Sequence, residues 1–457
     1  MSETFLSLPV SFWVALVLLL GGSIWAGGKI RAGFGLPMMA VLGTVTVWYV
    51  VDLFYNDYRA YSDTFTSDTL SNAWWQVDLF LTFFLFFAPV VHQLFNARYL
   101  QQTSSAYRMF TTGVGHLTLQ QQLNSLLRGC VLVWLVLALI ASIRLGSEIP
   151  YYFFPFLDHK ADPWGRDRLG SGIDALLSLA GYLQLFASAT FGIVAALAKT
   201  RRVRCLAILG CAFAWPYYIF DRTRNSMLTL ALPAILTWTL LRLRGWWVKR
   251  MIVLAGLFLL VTAWFGFVIA NRSSMSITDA LSQKGFNLTS SASVHHQGLN
   301  MYEELCWINA LMTDELYQPQ WGSLYLAEVV SFIPRALWPD KPASSLDYAV
   351  ARGQDATSGA TISTGMIGQG VVNFGRVLGP AFAALLMSVW TAILARLDLR
   401  GRAFTLYGMG LVLTFNLGRD ITLITLYTFV FGALVIWCMN RYNQMTAHSK
   451  KHQTVHT

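Results

Sequence analysis

Hydrophobic residues occur along this chain in separate runs, and polar or charged residues stand between the runs. Each run has about 17–25 residues, enough for a helix to cross a hydrocarbon core of about 30 Å. The pattern predicts an all-α polytopic membrane protein with about eleven transmembrane helices. The predicted spans are 10–28, 34–54, 74–95, 129–145, 173–197, 205–220, 226–243, 250–270, 376–394, 403–418 and 421–439.

Basic residues cluster at every second connection between the spans. The clusters are Lys29/Arg31, Arg98/Arg108/Arg128, Lys199/Arg201/Arg202/Arg204, Arg242/Arg244/Lys249/Arg250, Arg396/Arg400/Arg402 and Arg441/Lys450/Lys451. Because cytoplasmic loops carry an excess of Lys and Arg, the N-terminus is expected outside and the C-terminus inside. The predicted domains are therefore 1–270 for the N-terminal helices, 271–375 for one large outer loop with short helices of its own, 376–440 for the C-terminal helices and 441–457 for a cytoplasmic tail.

The composition agrees with lipid as the main solvent of this chain. Hydrophobic residues make up 55% of it, charged residues only 12%, and the mean hydropathy is +0.50, which is too apolar for a soluble domain of this size. The net charge of +10 stands in short clusters between apolar runs, so topology explains it and no nucleic-acid partner is expected. Four of the five cysteines fall inside predicted spans, which argues against a disulfide framework.

Charged residues also gather at the outer ends of the predicted spans, where they are costly unless paired or functional. Asp221, Arg222 and Arg224 stand between the sixth and seventh spans, and Arg419 precedes Asp420 between the tenth and eleventh. One interpretation is helix capping and salt bridges within tight turns. The other is a phosphate site, because a guanidinium fork binds phosphate oxygens in a bidentate manner.

A proline-rich part of the large loop, 332–342, carries side chains that suit a glycan. It reads Phe-Ile-Pro-Arg-Ala-Leu-Trp-Pro-Asp-Lys-Pro and contains Arg335, Trp338, Asp340 and Lys341. Aromatic faces and carboxylates commonly hold sugars. The structural alternative is a proline-stiffened turn with an interfacial tryptophan.

Two histidines and two glutamates in the same loop form a second group with usable chemistry. His295 and His296 are followed by Glu303 and Glu304, and a neutral imidazole or a carboxylate can take a proton from a sugar hydroxyl. Surface histidines in a polar loop are the alternative. The spacing is not that of a metal motif, and the glycine-rich stretch 353–375 lacks the P-loop pattern.

Three of these motifs together resemble the Wzy-type oligosaccharide repeat-unit polymerases, including the enterobacterial common antigen branch. Segment 332–342 is similar to their Phe-Ile-Pro-x-x-Leu-Trp-Pro-x-(Lys/Arg)-Pro segment, and here too a Gly-rich run and Asn373-Phe374-Gly375 follow it. Thr223-Arg224-Asn225 resembles their Thr-Arg motif at the outer start of a helix. Leu417-Gly418-Arg419-Asp420 resembles their arginine and acidic pair in the penultimate outer turn.

The resemblance implies a GT-C-like membrane glycosyltransferase of the bacterial inner membrane, with its active site on the periplasmic face, that acts in O-antigen or lipopolysaccharide biosynthesis. It would transfer a glycan from one undecaprenyl-pyrophosphate carrier to the non-reducing end of the repeat unit on another carrier. Its partners would be undecaprenyl-pyrophosphate-linked glycans and membrane lipids, with a chain-length regulator and a flippase as candidate protein partners. Related ligases act without a metal, so no cofactor is expected.

The resemblance also assigns roles to individual residues. Arg224 and Arg419 match the family's arginines and would stabilise the leaving pyrophosphate, with Arg222 beside them. The candidates for holding glycan or phosphate are Arg335, Trp338, Asp340, Lys341 and Arg376. No family motif identifies the base for the acceptor hydroxyl, and for that role the residues point to His296 or His295, with Glu304 or Glu303 behind it.

Two alternatives remain open from the sequence. An O-antigen ligase would pass the glycan to lipid A core and needs the same donor site, so the arginines do not separate it from a polymerase. A flippase for lipid-linked sugars would need charged residues along a path through the middle of the membrane, and the predicted spans hold almost none there.

Overall fold

A computed structural model describes residues 8–51, 53, 58–96, 116–164, 177–220, 224–241, 301–330, 346–353, 362–397 and 402–453, together with the single positions 249, 252, 253, 256, 260, 263, 333, 337, 338 and 340–342. Every regular element in these residues is helical. The helices are α1 Val10–Gly28, α2 Gly35–Val45 with a π-helical extension Thr46–Val51, α3 Tyr58–Thr64, α4 Ser67–Asn96, α5 His116–Leu145, α6 Ile149–Phe153, α7 Ala180–Leu197, α8 Arg201–Ala214, α9 Pro216–Ile219, α10 Arg224–Leu241, α11 Met301–Thr313, α12 Ser323–Val329, α13 Leu346–Ala351, α14 Gly365–Arg396, α15 Phe404–Leu417 and α16 Leu423–Gln453.

Six helical stretches in the described part of the chain are long and apolar enough to cross a membrane. They are Val10–Gly28, Ser67–Phe95, Leu119–Phe153, Ala180–Leu197, Gly365–Arg396 and Leu423–Met445. Shorter apolar helices at Gly35–Val51, Ser226–Thr239 and Phe404–Leu417 coincide with further predicted spans. The structure therefore agrees with a helical membrane protein, and the predicted span 250–270 falls almost wholly outside the described residues.

Helix α1 shows how such a span divides its surface. Its buried side includes Phe12, Ala15 and Leu19. The opposite side leaves Val17 70% exposed and Ile24 78% exposed. A contiguous row of exposed aliphatic side chains is unfavourable in water, so this face suits the hydrocarbon of a bilayer.

The described helices belong to two compact units, each built from separate parts of the chain. One unit takes its residues from 1–107, 293–397 and 413–425, and the other from 108–292, 398–412 and 426–457. In the second unit, α7 is the most enclosed helix, since Gln184 to Val194 are buried without a break. Gln184 there accepts a hydrogen bond from the indole of Trp164 (2.6 Å) and donates one to the hydroxyl of Tyr152 (2.7 Å).

In the first unit, α14 is not a straight rod but folds back on itself at Gly375. Gly375 has φ 78° and ψ −179°, a backbone conformation that favours glycine. The backbones of Gly370 and Gly379 are in direct contact, although nine residues of straight helix would hold them about 13 Å apart. The first arm of α14, which ends at Phe374, is therefore packed against the second arm, which starts at Arg376. The small residues of the glycine-rich stretch provide this close approach of one backbone to another.

The contact between the two arms gives a first prediction. A Cβ at Gly379 would overlap the backbone of Gly370, so Gly379→Ala should force the arms apart and cost about 1–3 kcal/mol of stability. Gly43→Ala is the matched control, because a Cβ at this helical position meets nothing within 4 Å. Thermal unfolding of the protein in detergent should show a clearly lower melting temperature for Gly379→Ala only. Equal melting temperatures for the two variants would contradict the fold-back.

Candidate functional site

The turn between α15 and α16, Gly418–Thr422, is held against the start of α14 by hydrogen bonds. The amide of Met366 donates to the Gly418 carbonyl (3.0 Å). The side chain of Gln369 accepts from the Ile421 amide (2.8 Å) and donates to the Ile421 carbonyl (3.3 Å). These bonds satisfy backbone groups at both places and fix the turn that carries the predicted arginine and acidic pair.

Asp420 lies in this turn at the amino end of the first arm of α14. Its Oδ1 accepts hydrogen bonds from the amide of Thr364 (3.0 Å) and from the hydroxyl of Thr364 (3.3 Å). Burial raises the pKa of Asp420 to about 6, although the Ser363 hydroxyl, Arg419 and Thr364 act in the opposite direction. The carboxyl therefore caps the helix and also changes its charge close to neutral pH.

Arg419 is exposed next to this partly buried acid. Its Nε donates to the Ser363 hydroxyl oxygen (2.7 Å), and its charge lowers the pKa of Asp420. Among the described residues, its two terminal nitrogens have neither a hydrogen bond nor an ion pair. The guanidinium is thus positioned through Nε while the fork remains open to an anion.

Helix α12 of the large loop packs against both arms of α14. It begins after Gly322, whose φ of 88° lies in the left-handed region, and the Gln320 amide just before it donates to the Val372 carbonyl (3.0 Å). The ring of Tyr325 stacks with Phe374 at a centroid distance of 6.2 Å and contacts Phe382 at 5.3 Å. These contacts on both arms of α14 fix the position of the short helix.

Two polar atoms on α12 are buried and have no hydrogen-bond partner in the described part of the chain. They are the Tyr325 hydroxyl and Glu328 Oε2. Burial raises the pKa of Glu328 to about 7, and the negative charge of Asp420 raises it too. Burial, Asp420 and Tyr49 raise the pKa of Tyr325. We call Tyr49, Tyr325, Glu328, Thr364, Arg419 and Asp420 the Asp420 cluster.

Tyr49, from the π-helical extension of α2, completes the cluster from another side. Its hydroxyl oxygen accepts a hydrogen bond from the Ile367 amide (3.2 Å). A Cβ at Gly365 would lie 2.6 Å from the same oxygen, and Gly365 has a φ of 76°. Glycine is therefore required at the first residue of α14 for conformation and for space.

Glu304, a predicted candidate for proton transfer, lies elsewhere in the first unit, buried on α11. It accepts a hydrogen bond from the Tyr348 hydroxyl (2.8 Å), and its Oε1 is 3.6 Å from Arg352. The guanidinium of Arg352 lies 3.8 Å from the centre of the Trp307 ring. Burial raises the pKa of Glu304, while Arg352 and Tyr348 lower it. The carboxylate is thus engaged in joining α11 to α13.

Arg376 and Lys341, two of the predicted glycan-binding residues, also make internal bonds. Arg376 Nη2 donates to the Asn309 carbonyl (2.9 Å) and to the Thr313 hydroxyl (2.5 Å), which ties α14 to the end of α11. Lys341 Nζ donates to the Ile333 carbonyl (2.9 Å). These contacts position the backbone around each residue, and a role in holding glycan stays a prediction.

The remaining predicted residues are located only in part. Trp338 is 37% exposed, and Asp340 is exposed. Arg224 is the first residue of α10, but its side chain lies outside the described part. His295, His296, Arg222 and Arg335 fall outside the described residues altogether.

Glu328 and Tyr325 were not singled out by the sequence. They stand in an apolar stretch, 321–330, of the large outer loop, for which the sequence predicts short helices. An acidic residue inside such a stretch is the signal that marks Glu328, because a carboxylate is costly there. No comparable signal distinguishes Tyr325 from other interfacial aromatic residues.

Within the described residues, no three His, Cys, Asp or Glu side chains are grouped closely enough to hold a metal ion. Comparison with protein-family models, curated proteins and solved structures found no match for this chain.

Proposed function

We propose that this protein polymerises undecaprenyl-pyrophosphate-linked oligosaccharide repeat units into a surface polysaccharide. It works at the periplasmic face of the bacterial inner membrane, within a GT-C-like arrangement of about eleven spans. The glycan of one carrier is transferred to the non-reducing end of the repeat unit on a second carrier, and undecaprenyl pyrophosphate leaves. Arg419 carries this proposal, because its guanidinium fork has no partner among the described residues.

An arginine in this position suits the leaving group of glycosyl transfer. Negative charge develops on the pyrophosphate as the bond from the anomeric carbon to the phosphate oxygen breaks. A fixed guanidinium binds that charge without having to reorganise during the reaction. The Ser363 hydroxyl holds Arg419 at Nε, which leaves the two terminal nitrogens for phosphate oxygens. Arg224, in the Thr-Arg motif that resembles the one in the polymerases, is the sequence's other candidate for binding pyrophosphate.

The reaction can be tested with purified protein and one defined undecaprenyl-pyrophosphate oligosaccharide. A ladder of polymer is expected, both in the presence and in the absence of EDTA, because the proposed chemistry uses arginines in place of a metal. Release of undecaprenyl pyrophosphate should match the number of units joined. Hydrolysis of single units, or no reaction at all, would refute the polymerase. A ladder that EDTA abolishes would refute the metal independence.

Deletion of the gene in cells distinguishes the polymerase from the two alternatives. Loss of a polymerase leaves lipid A core capped by a single repeat unit. Loss of a ligase leaves the core uncapped, and loss of a flippase prevents the lipid-linked unit from appearing outside. Only the first phenotype agrees with the proposal.

A further inference from the structure

The unsatisfied polar atoms of α12 are the feature of the Asp420 cluster that helix capping does not explain. A structural role accounts for Asp420, which accepts hydrogen bonds at the start of α14. It does not account for the Tyr325 hydroxyl or Glu328 Oε2, which have no partner among the described residues. A buried polar atom without a partner destabilises the fold and is rarely retained. The two atoms belong to residues three apart on α12, so both side chains project from one helix face.

The surroundings of these atoms favour a sugar hydroxyl as that ligand. A hydroxyl is both a donor and an acceptor, so one such group can donate to Glu328 and accept from Tyr325. The Glu328 side chain as a whole is only partly buried, while its Oε2 is enclosed by protein. The charge of Arg419, the proposed pyrophosphate ligand, lowers the pKa of Asp420. The charge of Asp420 in turn raises the pKa of Glu328. The anion site and the unsatisfied atoms therefore belong to one cluster.

We propose that Glu328 is the catalytic base that takes the proton of the acceptor hydroxyl, that Tyr325 holds the same hydroxyl, and that Asp420 is a positioning residue behind Glu328. This inference rests on the proposed function. It replaces the expected histidines of the loop by a carboxyl of α12, the helix that packs on both arms of α14. It also leaves Glu304 with a structural role, since that carboxylate is already bonded to Tyr348 and Arg352.

The proposed step balances with the groups named. The acceptor O–H bond breaks, and its proton passes to the Glu328 carboxylate. The acceptor oxygen bonds to the anomeric carbon of the donor, and the bond from that carbon to the pyrophosphate oxygen breaks with its electron pair. Arg419 binds the departing pyrophosphate, and Glu328 returns its proton to water before the next transfer.

The charges around Glu328 suit proton transfer near neutral pH. Burial raises the pKa of Glu328 to about 7, and Asp420 adds to this effect. Burial also raises the pKa of Asp420 to about 6, whereas Arg419 lowers it. Tyr49 and Asp420 raise the pKa of Tyr325, which keeps its hydroxyl protonated as a donor. Because a base acts in its deprotonated form, activity should fall as the pH is lowered through about 7.

The test compares Glu328→Gln, Tyr325→Phe and Asp420→Asn with the native full-length protein, on the defined lipid-linked oligosaccharide. Glu328→Gln should lower kcat on the order of 10²–10⁴-fold. Thermal stabilisation by added undecaprenyl pyrophosphate should not change, because Arg419 is intact. Tyr325→Phe should mainly raise the KM for the acceptor. Glu315→Gln is the matched control, since it removes an exposed carboxyl from the same loop and should leave the rate unchanged.

The pH profile separates a positioning role of Asp420 from a merely structural one. Without the negative charge of Asp420, the pKa of Glu328 falls, so Asp420→Asn should move the acidic limb of kcat to lower pH. The assignment of Glu328 would be overturned if the acidic limb of Asp420→Asn did not move. It would also be overturned if Glu328→Gln retained more than about a tenth of the native rate. Neither result would contradict the proposed polymerase activity. A native protein that forms no ladder would overturn the proposed function and this inference together.

Discussion

Replacing Arg419 with alanine is expected to lower the rate of polymer formation on the order of 10²–10³-fold. The variant loses the guanidinium fork that would bind the leaving pyrophosphate as charge develops on it. The fold should be little affected, because Arg419 is exposed and its side chain makes one hydrogen bond, to Ser363, in the described part of the chain. The rate of Arg419→Lys should lie between those of the native protein and Arg419→Ala, since an ammonium keeps the charge but cannot form two parallel bonds to phosphate.

Initial rates of undecaprenyl pyrophosphate release measure this effect, together with the melting temperature of each variant. Arg441→Ala is the matched control, because Arg441 is exposed on α16 and lies 5.7 Å from the ring centre of Trp437. It should retain the native rate. If Arg419→Ala instead prevented the lipid-linked unit from appearing outside, the enzyme would be refuted in favour of a transporter.

Local sequence predicted the first span because that span depends on one contiguous apolar run. The predicted start of the first span was Val10 and its end Gly28, and these are the bounds of α1. The turn with Arg419 and Asp420 was also expected, because charges between two apolar runs mark a helix end. Both features depend only on residues that are neighbours in the sequence.

The proposed base, Glu328, could not be predicted in this way. Glu328 and Asp420 are far apart in sequence. Their electrostatic interaction depends on the packing of α12 on α14, to which the Tyr325 ring and the Gln320 amide contribute. Among neighbouring residues, histidine beside glutamate was the more obvious source of proton transfer. The structure instead gives Glu304 a hydrogen bond from Tyr348 and an ion pair with Arg352.

The fold-back of α14 was missed for a related reason. The sequence indicated a span that begins at residue 376 after a glycine-rich loop, because glycines disfavour helix in isolation. Helix α14 instead begins at Gly365. Residues Gly365 to Asn373 are buried, and a buried backbone must bond its own polar groups, which a helix achieves. Tertiary burial thus outweighs the low helix propensity of Gly368 and Gly370.

Breaking the ion pair between Arg352 and Glu304 is expected to lower the stability of the protein strongly. Arg352→Met should destabilise the protein by about 3–5 kcal/mol, because it leaves Glu304 buried without its cation. Glu304 is 7% exposed at its side chain and Arg352 20%, so solvent screens the pair only weakly. The loss should depend on pH. Burial raises the pKa of Glu304 above its ordinary value of 4.5, and removal of Arg352 raises it further.

The direction of this pH dependence follows from the protonation state of Glu304 that the folded protein favours. A carboxyl with a raised pKa binds its proton more tightly when folded, so its contribution to stability is complete below about pH 4.5 and is lost as the pH rises through the folded-state pKa. Arg352→Met should therefore lose more stability between about pH 5 and about pH 8 than the native protein does. Melting temperatures in detergent at the two pH values measure this difference. Arg201→Met, which removes an exposed arginine from α8, should show no such dependence. An equal loss at both pH values for Arg352→Met would mean that Arg352 stabilises the loop by packing on Trp307 and not through its charge.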